Sequence, residues 1–133
     1  MSMVTALVIA ESIQDQQDCL GALSRTGQYL VITAANVETG LEYVQEHRVD
    51  VVVMNFQQPR VGGMDLVEAL RQRAVHQPFI VMLVREEQMV DAVRALHVGA
   101  DEFLLKDREK RYLQYLPNVI AGRIAQQRPT AAV

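Results

Sequence analysis

The sequence has little from which to build a covalent or metal framework. It holds a single cysteine, Cys19, and no tryptophan in 133 residues. A lone cysteine forms no internal disulfide and suits a reducing compartment, so Cys19 reads as a helix residue without chemistry. The histidines, His47, His76 and His97, are scattered, and no Cys/His cluster has metal-ligand spacing. No apolar run approaches the roughly 20 residues of a membrane span. The N-terminus also lacks a basic segment leading into a long apolar one, so no secretory signal is expected. A net charge of -3 provides no basic surface for nucleic acid. These absences point to a cytoplasmic protein with no membrane and no direct nucleic-acid partner. What is present is an ordinary globular composition, half hydrophobic, at a length that fits one core.

The chain is organised around residues 49–63, Val-Asp-Val-Val-Val-Met-Asn-Phe-Gln-Gln-Pro-Arg-Val-Gly-Gly. A short β-branched run ending in a polar residue and a Pro/Gly loop reads as a strand covered on both faces. In open α/β sheets the loop beyond the carboxyl end of such a strand carries the ligand site, which puts Asn55 at the centre. Further strands are expected at Val4–Ile9, Tyr29–Ala34, Phe79–Val84 and Asp101–Lys106, with the central one at Val49–Met54. Between them lie helices over Ile13–Arg25 (capped by Ser12), from Asn36 to near His47, Met64–Ala74 and Glu86–Val98. Their expected inward stripes are Ile13, Leu20 and Leu23; Val37, Leu41 and Val44; Val67, Leu70 and Ala74; and Met89, Val93 and Leu96. A last helix, about Asp107 to Gln127, carries Leu113, Leu116, Ile120 and Ile124, and Pro117 should kink or restart it. Alternation with short loops implies right-handed crossovers, a parallel sheet and a three-layer α/β/α sandwich. Residues 1–127 form the expected domain, and residues 128–133 a flexible tail or the start of a linker.

Pro59 and Gly63, placed after Asn55, resemble the phosphoacceptor loop of two-component receiver domains. The block from Ala95 to Lys106, Ala-Leu-His-Val-Gly-Ala-Asp-Glu-Phe-Leu-Leu-Lys, resembles the same family's end of helix four and strand five. The resemblance covers the chain from Val4 to about Arg123. It implies a flavodoxin-like (βα)5 fold with a five-stranded parallel sheet in the order 2-1-3-4-5. In that family an acidic pair after strand one and an aspartate after strand three bind Mg²⁺, and the aspartate accepts a phosphoryl group. A Ser/Thr and a lysine then hold the phosphate oxygens. The resemblance places the acidic pair at Ala10 and Glu11, the acceptor at Asn55, the Ser/Thr at Val84 and the lysine at Lys106. The aromatic switch position falls at Phe103. Glu11 and Lys106 alone keep their chemistry.

The substitutions have physical consequences. Mg²⁺ requires hard oxygen ligands and dehydrates reluctantly without carboxylates, so its site should be lost or very weak and no cofactor is expected. An amide is a poor nucleophile toward phosphorus, and Val84 has no hydroxyl for a phosphoryl oxygen. Asn55 has two readings: a hydrogen-bonding residue that holds the loop, or a member of a fixed network with Glu11 and Lys106 resembling one signalling state.

The expected function is that of a pseudo-receiver, a non-enzymatic regulatory interaction domain working without aspartyl phosphorylation. The alternatives are a phosphoacceptor receiver with an atypical site and a small-ligand sensor using Asn55, Val84 and Lys106. The Leu-Pro-x-x-Ile pattern of the last helix resembles receivers placed ahead of a sensory, kinase or cyclic-dinucleotide output module. A protein partner or homodimer is expected on the fourth helix, fifth strand and fifth helix. Candidate contacts there are Arg94, Asp101, Glu102, Arg108, Arg111 and Tyr112, with Tyr115 and Val119 off the packing stripe.

Overall fold

A computed structural model describes residues 3–55, 64–74 and 76–127. Five strands, β1 (Val4–Ile9), β2 (Tyr29–Ala34), β3 (Val51–Asn55), β4 (Phe79–Val84) and β5 (Glu102–Leu105), alternate with five helices. The helices are α1 (Ile13–Ser24), α2 (Val37–Glu46), α3 (Met64–Arg73), α4 (Met89–Val98) and α5 (Tyr112–Gln127). All strand pairs are parallel, in the order β2-β1-β3-β4-β5. This is the flavodoxin-like arrangement expected from the sequence, and residues 56–63 of the central loop lie outside the described residues.

The three central strands are buried on both faces because, apart from Thr5 and Asn55, they are apolar throughout. Side chains of alternate parity separate cleanly. Leu7, Ile9, Val52, Met54, Ile80, Met82 and Val84 face the side packed by Val44, Val67, Leu70, Ala92 and Ala95. Ala6, Val8, Val51, Val53, Phe79, Val81 and Leu83 face the side packed by Cys19, Leu23, Tyr112, Leu116 and Ile120. Each large side chain removed from water in this way contributes about 1.5–3 kcal/mol. β3 begins two residues later than expected, and Asp50 just before it accepts from the Thr5 N–H through its carboxylate at 2.9 Å.

Two helices bury a different stripe from the one expected. In α1, Ile13 and Leu20 are exposed, and the buried residues are Cys19, Ala22 and Leu23. In α4, Val93 is exposed while Ala92 and Ala95 are buried. The periodicity is helical in both cases, but small residues let the helix axis approach the sheet more closely than large ones do. A short 3-10 turn, Glu86–Gln88, leads into α4, and Gly99 ends it with a left-handed φ of 130°. α5 starts later than expected because Asp107 accepts bonds from the Arg111 and Tyr112 N–H groups before the helix begins. α5 then runs unbroken through Pro117, so the expected interruption is confined to one missing N–H in its second turn.

Candidate functional site

The site forms where β1, β3, β4 and β5 end on the same edge of the sheet. Parallel register puts Asn55 beside Leu83 and Val84 beside Leu105, and Lys106 follows directly, its N–H bonded to the Val84 carbonyl at 2.6 Å. Ala10 is buried at the end of β1 and its carbonyl accepts from Gln16 Nε2 at 2.7 Å, which ties down the turn into α1. Ser12 caps α1 by accepting from the Asp15 N–H at 3.2 Å. That cap sets the rotation of the first turn and directs the Asp15 side chain over the strand ends.

Asp15 is the residue that sequence reasoning missed. Its Oδ2 accepts from Asn55 Nδ2 at 2.8 Å and from Lys106 Nζ at 2.8 Å. A carboxylate only accepts, so this contact fixes which end of the Asn55 amide faces Asp15. Asn55 Oδ1 is consequently turned away and, among the described residues, is buried without a partner. The expected network of Asn55, Lys106 and Glu11 is therefore corrected in one member: Asp15 takes the place assigned to Glu11. Glu11 is exposed, and among the described residues no hydrogen bond or ion pair reaches it. The signal for Asp15 was an acidic residue in the first turn of a capped helix, which by itself says only that the helix dipole tolerates it.

Val84 is fully buried in the apolar core and supplies no polar atom to the site. Phe103 is half-buried on β5, against the cluster shared with α4. Cys19 lies beneath α1, where burial pushes its thiol up to about 12 and leaves it inert as a nucleophile. Among the described residues no group of three or more His, Cys, Asp or Glu side chains could hold a metal ion.

A second ion pair lies one turn further along α1. Asp18 accepts from Lys110 Nζ at 2.8 Å and from Gln14 Nε2 at 2.8 Å. The hydrogen bond from Lys110 holds the Asp18 carboxyl below the ordinary carboxylate range, against the opposing effect of burial. Because folding lowers this pKa, the pair stabilises the fold above roughly pH 4, and that contribution disappears as pH falls through the lower native value. Following the Asp18 carboxyl by NMR should give a midpoint below the ordinary range, moved upward in Lys110→Gln.

The partner-surface candidates divide. Arg94, Glu102, Arg108 and Arg111 are exposed on α4, β5 and the turn before α5. Tyr112 is not: it is 2% exposed, packed among Cys19, Leu23 and Leu116, and is corrected from a contact residue to a core residue. The helix that it opens packs against α1 as well as the sheet, so a residue off the sheet-facing stripe still becomes buried. Tyr115 is 54% exposed and Val119 is half-buried. Asp101 is a strut. It accepts from Arg71 at 2.6 Å, from Arg123 at 3.1 Å and from the Ile80 N–H at 2.8 Å, joining α3, α5 and β4. Asp101→Ala is expected to lower stability by about 2 kcal/mol in urea unfolding, because it leaves the Ile80 N–H without its acceptor and removes one charged partner each from Arg71 and Arg123, although Arg71 keeps the Gly99 and Pro78 carbonyls.

Comparison with known proteins gives the family and the fold. The profile of the response regulator receiver domain matches residues 7–116. The chain is 31% identical over 84 residues to the alkaline phosphatase synthesis transcriptional regulatory protein PhoP of Bacillus subtilis, covering 63% of this chain and 34% of that protein. It is 33% identical over 105 residues to an uncharacterised response regulatory protein of Vibrio vulnificus, covering 78% of this chain and 42% of that protein. The chain thus spans less than half the length of these curated relatives. Among solved structures, the chemotaxis response regulator CheY4 of Vibrio cholerae superposes with a TM-score of 0.73 at 26% identity, over 90% of this chain and 99% of that one. A receiver domain protein from Clostridium thermocellum superposes with a TM-score of 0.78 at 24% identity, over 95% of this chain and 100% of that one.

Proposed function

We propose that this chain, which belongs to the response regulator receiver domain family, is a pseudo-receiver that regulates through protein contacts and not through aspartyl phosphorylation. The observation carrying this reading is the shared Asp15 oxygen, 2.8 Å from both Asn55 Nδ2 and Lys106 Nζ. Lys106, the cation that a phosphoryl group would need, is already neutralised by an internal carboxylate. Asn55 provides an amide in place of a nucleophilic oxygen and uses its NH₂ to hold that same carboxylate.

The donor set also fits Mg²⁺ poorly. Ala10 offers no side-chain ligand, Glu11 is exposed, and Asp15 would have to release Lys106 before binding a cation. A clustered set of carboxylates needs a cation to offset repulsion, whereas an Asp–Lys–Asn set is neutral as it stands.

The output is proposed to lie in a separate module or partner, in keeping with curated relatives two to three times as long as the aligned region. The surface proposed for partners or a homodimer is α4–β5–α5, where Arg94, Glu102, Arg108 and Arg111 are exposed beside Val90, Leu105 and Tyr115. Residues 1–127 would then act as the receiver unit, with residues 128–133 leading onward. Incubation with acetyl phosphate, or with beryllofluoride and Mg²⁺, should leave the mass and the Asn55 amide resonances unchanged. An acid-labile adduct, or shifts centred on Asn55, would support a phosphoacceptor receiver with an atypical site and sink this reading.

A further inference from the structure

We propose that Asp15 and Asp18 form a two-point clamp on the β5–α5 turn, making α1 the lever that couples the pocket at Asn55 to the start of α5. This goes beyond the reading above and does not depend on whether Asn55 accepts a phosphoryl group. The observations are geometric. Asp15 and Asp18 lie on one side of α1, one turn apart. Asp15 holds Lys106 and Asp18 holds Lys110, each at 2.8 Å. The two lysines bracket the turn that launches α5. Asp107, between them, caps the helix through the Arg111 and Tyr112 N–H groups, each at 3.1 Å.

This turn can also relax when released. Lys110 has a φ of 58°, a left-handed conformation that lysine seldom adopts, and among the described residues it is alone of the non-glycine residues with positive φ. Such a backbone persists where its surroundings over-determine it. Here the restraints are the Lys110 N–H bond to the Asp107 carbonyl at 3.1 Å and the Asp18 ion pair. Beneath the charged rim, Cys19 and Leu23 of α1 pack in one apolar cluster with Tyr112 and Leu116 of α5. A rigid-body shift of α1 therefore moves both clamp points and the first turns of α5 together. A change at Asn55 acts on Asp15, hence on α1, and hence on the Lys110 turn.

Coupling of this kind is reciprocal, which makes it testable from either end. In Asp18→Asn, which does not alter any partner of Asn55, the Asn55 side-chain NH₂ resonances should shift. Amide exchange over Leu113–Leu116 should also rise by about two- to fivefold, the scale expected for weakening one solvent-exposed ion pair. In Asn55→Ala, exchange over the same α5 residues should rise in turn. If Asp18→Asn unfolds the domain, Lys110→Gln, altered at a half-exposed side chain, puts the same question. Exchange changes confined to residues 107–116 with an unmoved Asn55 NH₂ pair would overturn the clamp. So would an Asn55→Ala variant whose α5 exchange is unchanged. The acetyl phosphate experiment reads a different quantity, so either proposal can fail without the other.

Discussion

Asn55→Asp should destabilise the domain by about 3 kcal/mol at neutral pH and make it responsive to Mg²⁺, since a carboxylate would replace a hydrogen-bond donor beside another largely buried carboxylate. In the parent chain Asn55 Nδ2 donates to Asp15 Oδ2 at 2.8 Å, and the Asp15–Lys106 pair is electrically balanced. The substitution removes that bond and leaves a local charge of minus one, with a single ammonium between two carboxylates. Repulsion raises the apparent pKa of the pair in the folded state. Stability should therefore recover as pH falls toward the value at which the two share a proton. It should also recover with millimolar Mg²⁺, which finds two carboxylates where the parent offers one engaged with lysine; at 100 times its Kd, a bound ion adds about 2.7 kcal/mol. Thermal melts at pH 5 and pH 8, with and without Mg²⁺, check both effects. Equal melting of variant and parent under all four conditions would mean that Asp15 does not hold Asn55 in solution.

Tyr112→Ala should cost about 3–5 kcal/mol, a large share of the stability of a domain this size, by opening a cavity between α1, α5 and the sheet. Tyr112 is 2% exposed and packs in the cluster that includes Cys19, Leu23 and Leu116. Burial also pushes its phenol up, so the ring is neutral at neutral pH. Tyr115, three residues later and 54% exposed, provides the control: Tyr115→Ala should change stability by less than about 0.5 kcal/mol. Denaturant midpoints for the two variants separate these effects. Near-equal midpoints would contradict the placement of Tyr112 in the core. The same comparison bears on partner binding, since any loss of binding in Tyr112→Ala would come through unfolding, whereas a loss in Tyr115→Ala would come from the surface.

The architecture was legible because the fold is written in short-range patterns. Continuous apolar runs such as Val51–Met54 and Phe79–Val84 mark doubly covered strands, and Ser12, Asn36 and Gly99 mark helix ends by local backbone chemistry. The site was legible only in part. Asn55 follows from the end of its strand, and the resemblance to receiver domains added Val84 and Lys106, which the parallel topology brings to the same edge. Asp15 sits on a helix, and its contact with Lys106 spans 91 residues of chain. Local periodicity contains no information about such a pair.

The amino-acid order alone determined the five-fold βα alternation, the parallel sheet and the absence of a carboxylate at position 55, because each depends on residues adjacent in the chain. Tertiary packing alone decided that Asp15 and not Glu11 meets Lys106, that Tyr112 is core, and that Asp101 is a strut. These outcomes depend on how closely helices with small inward residues approach the sheet and on their rotation once packed. That rotation is set by contacts between segments far apart in sequence, which is why a residue's spacing within its own helix did not reveal its neighbours.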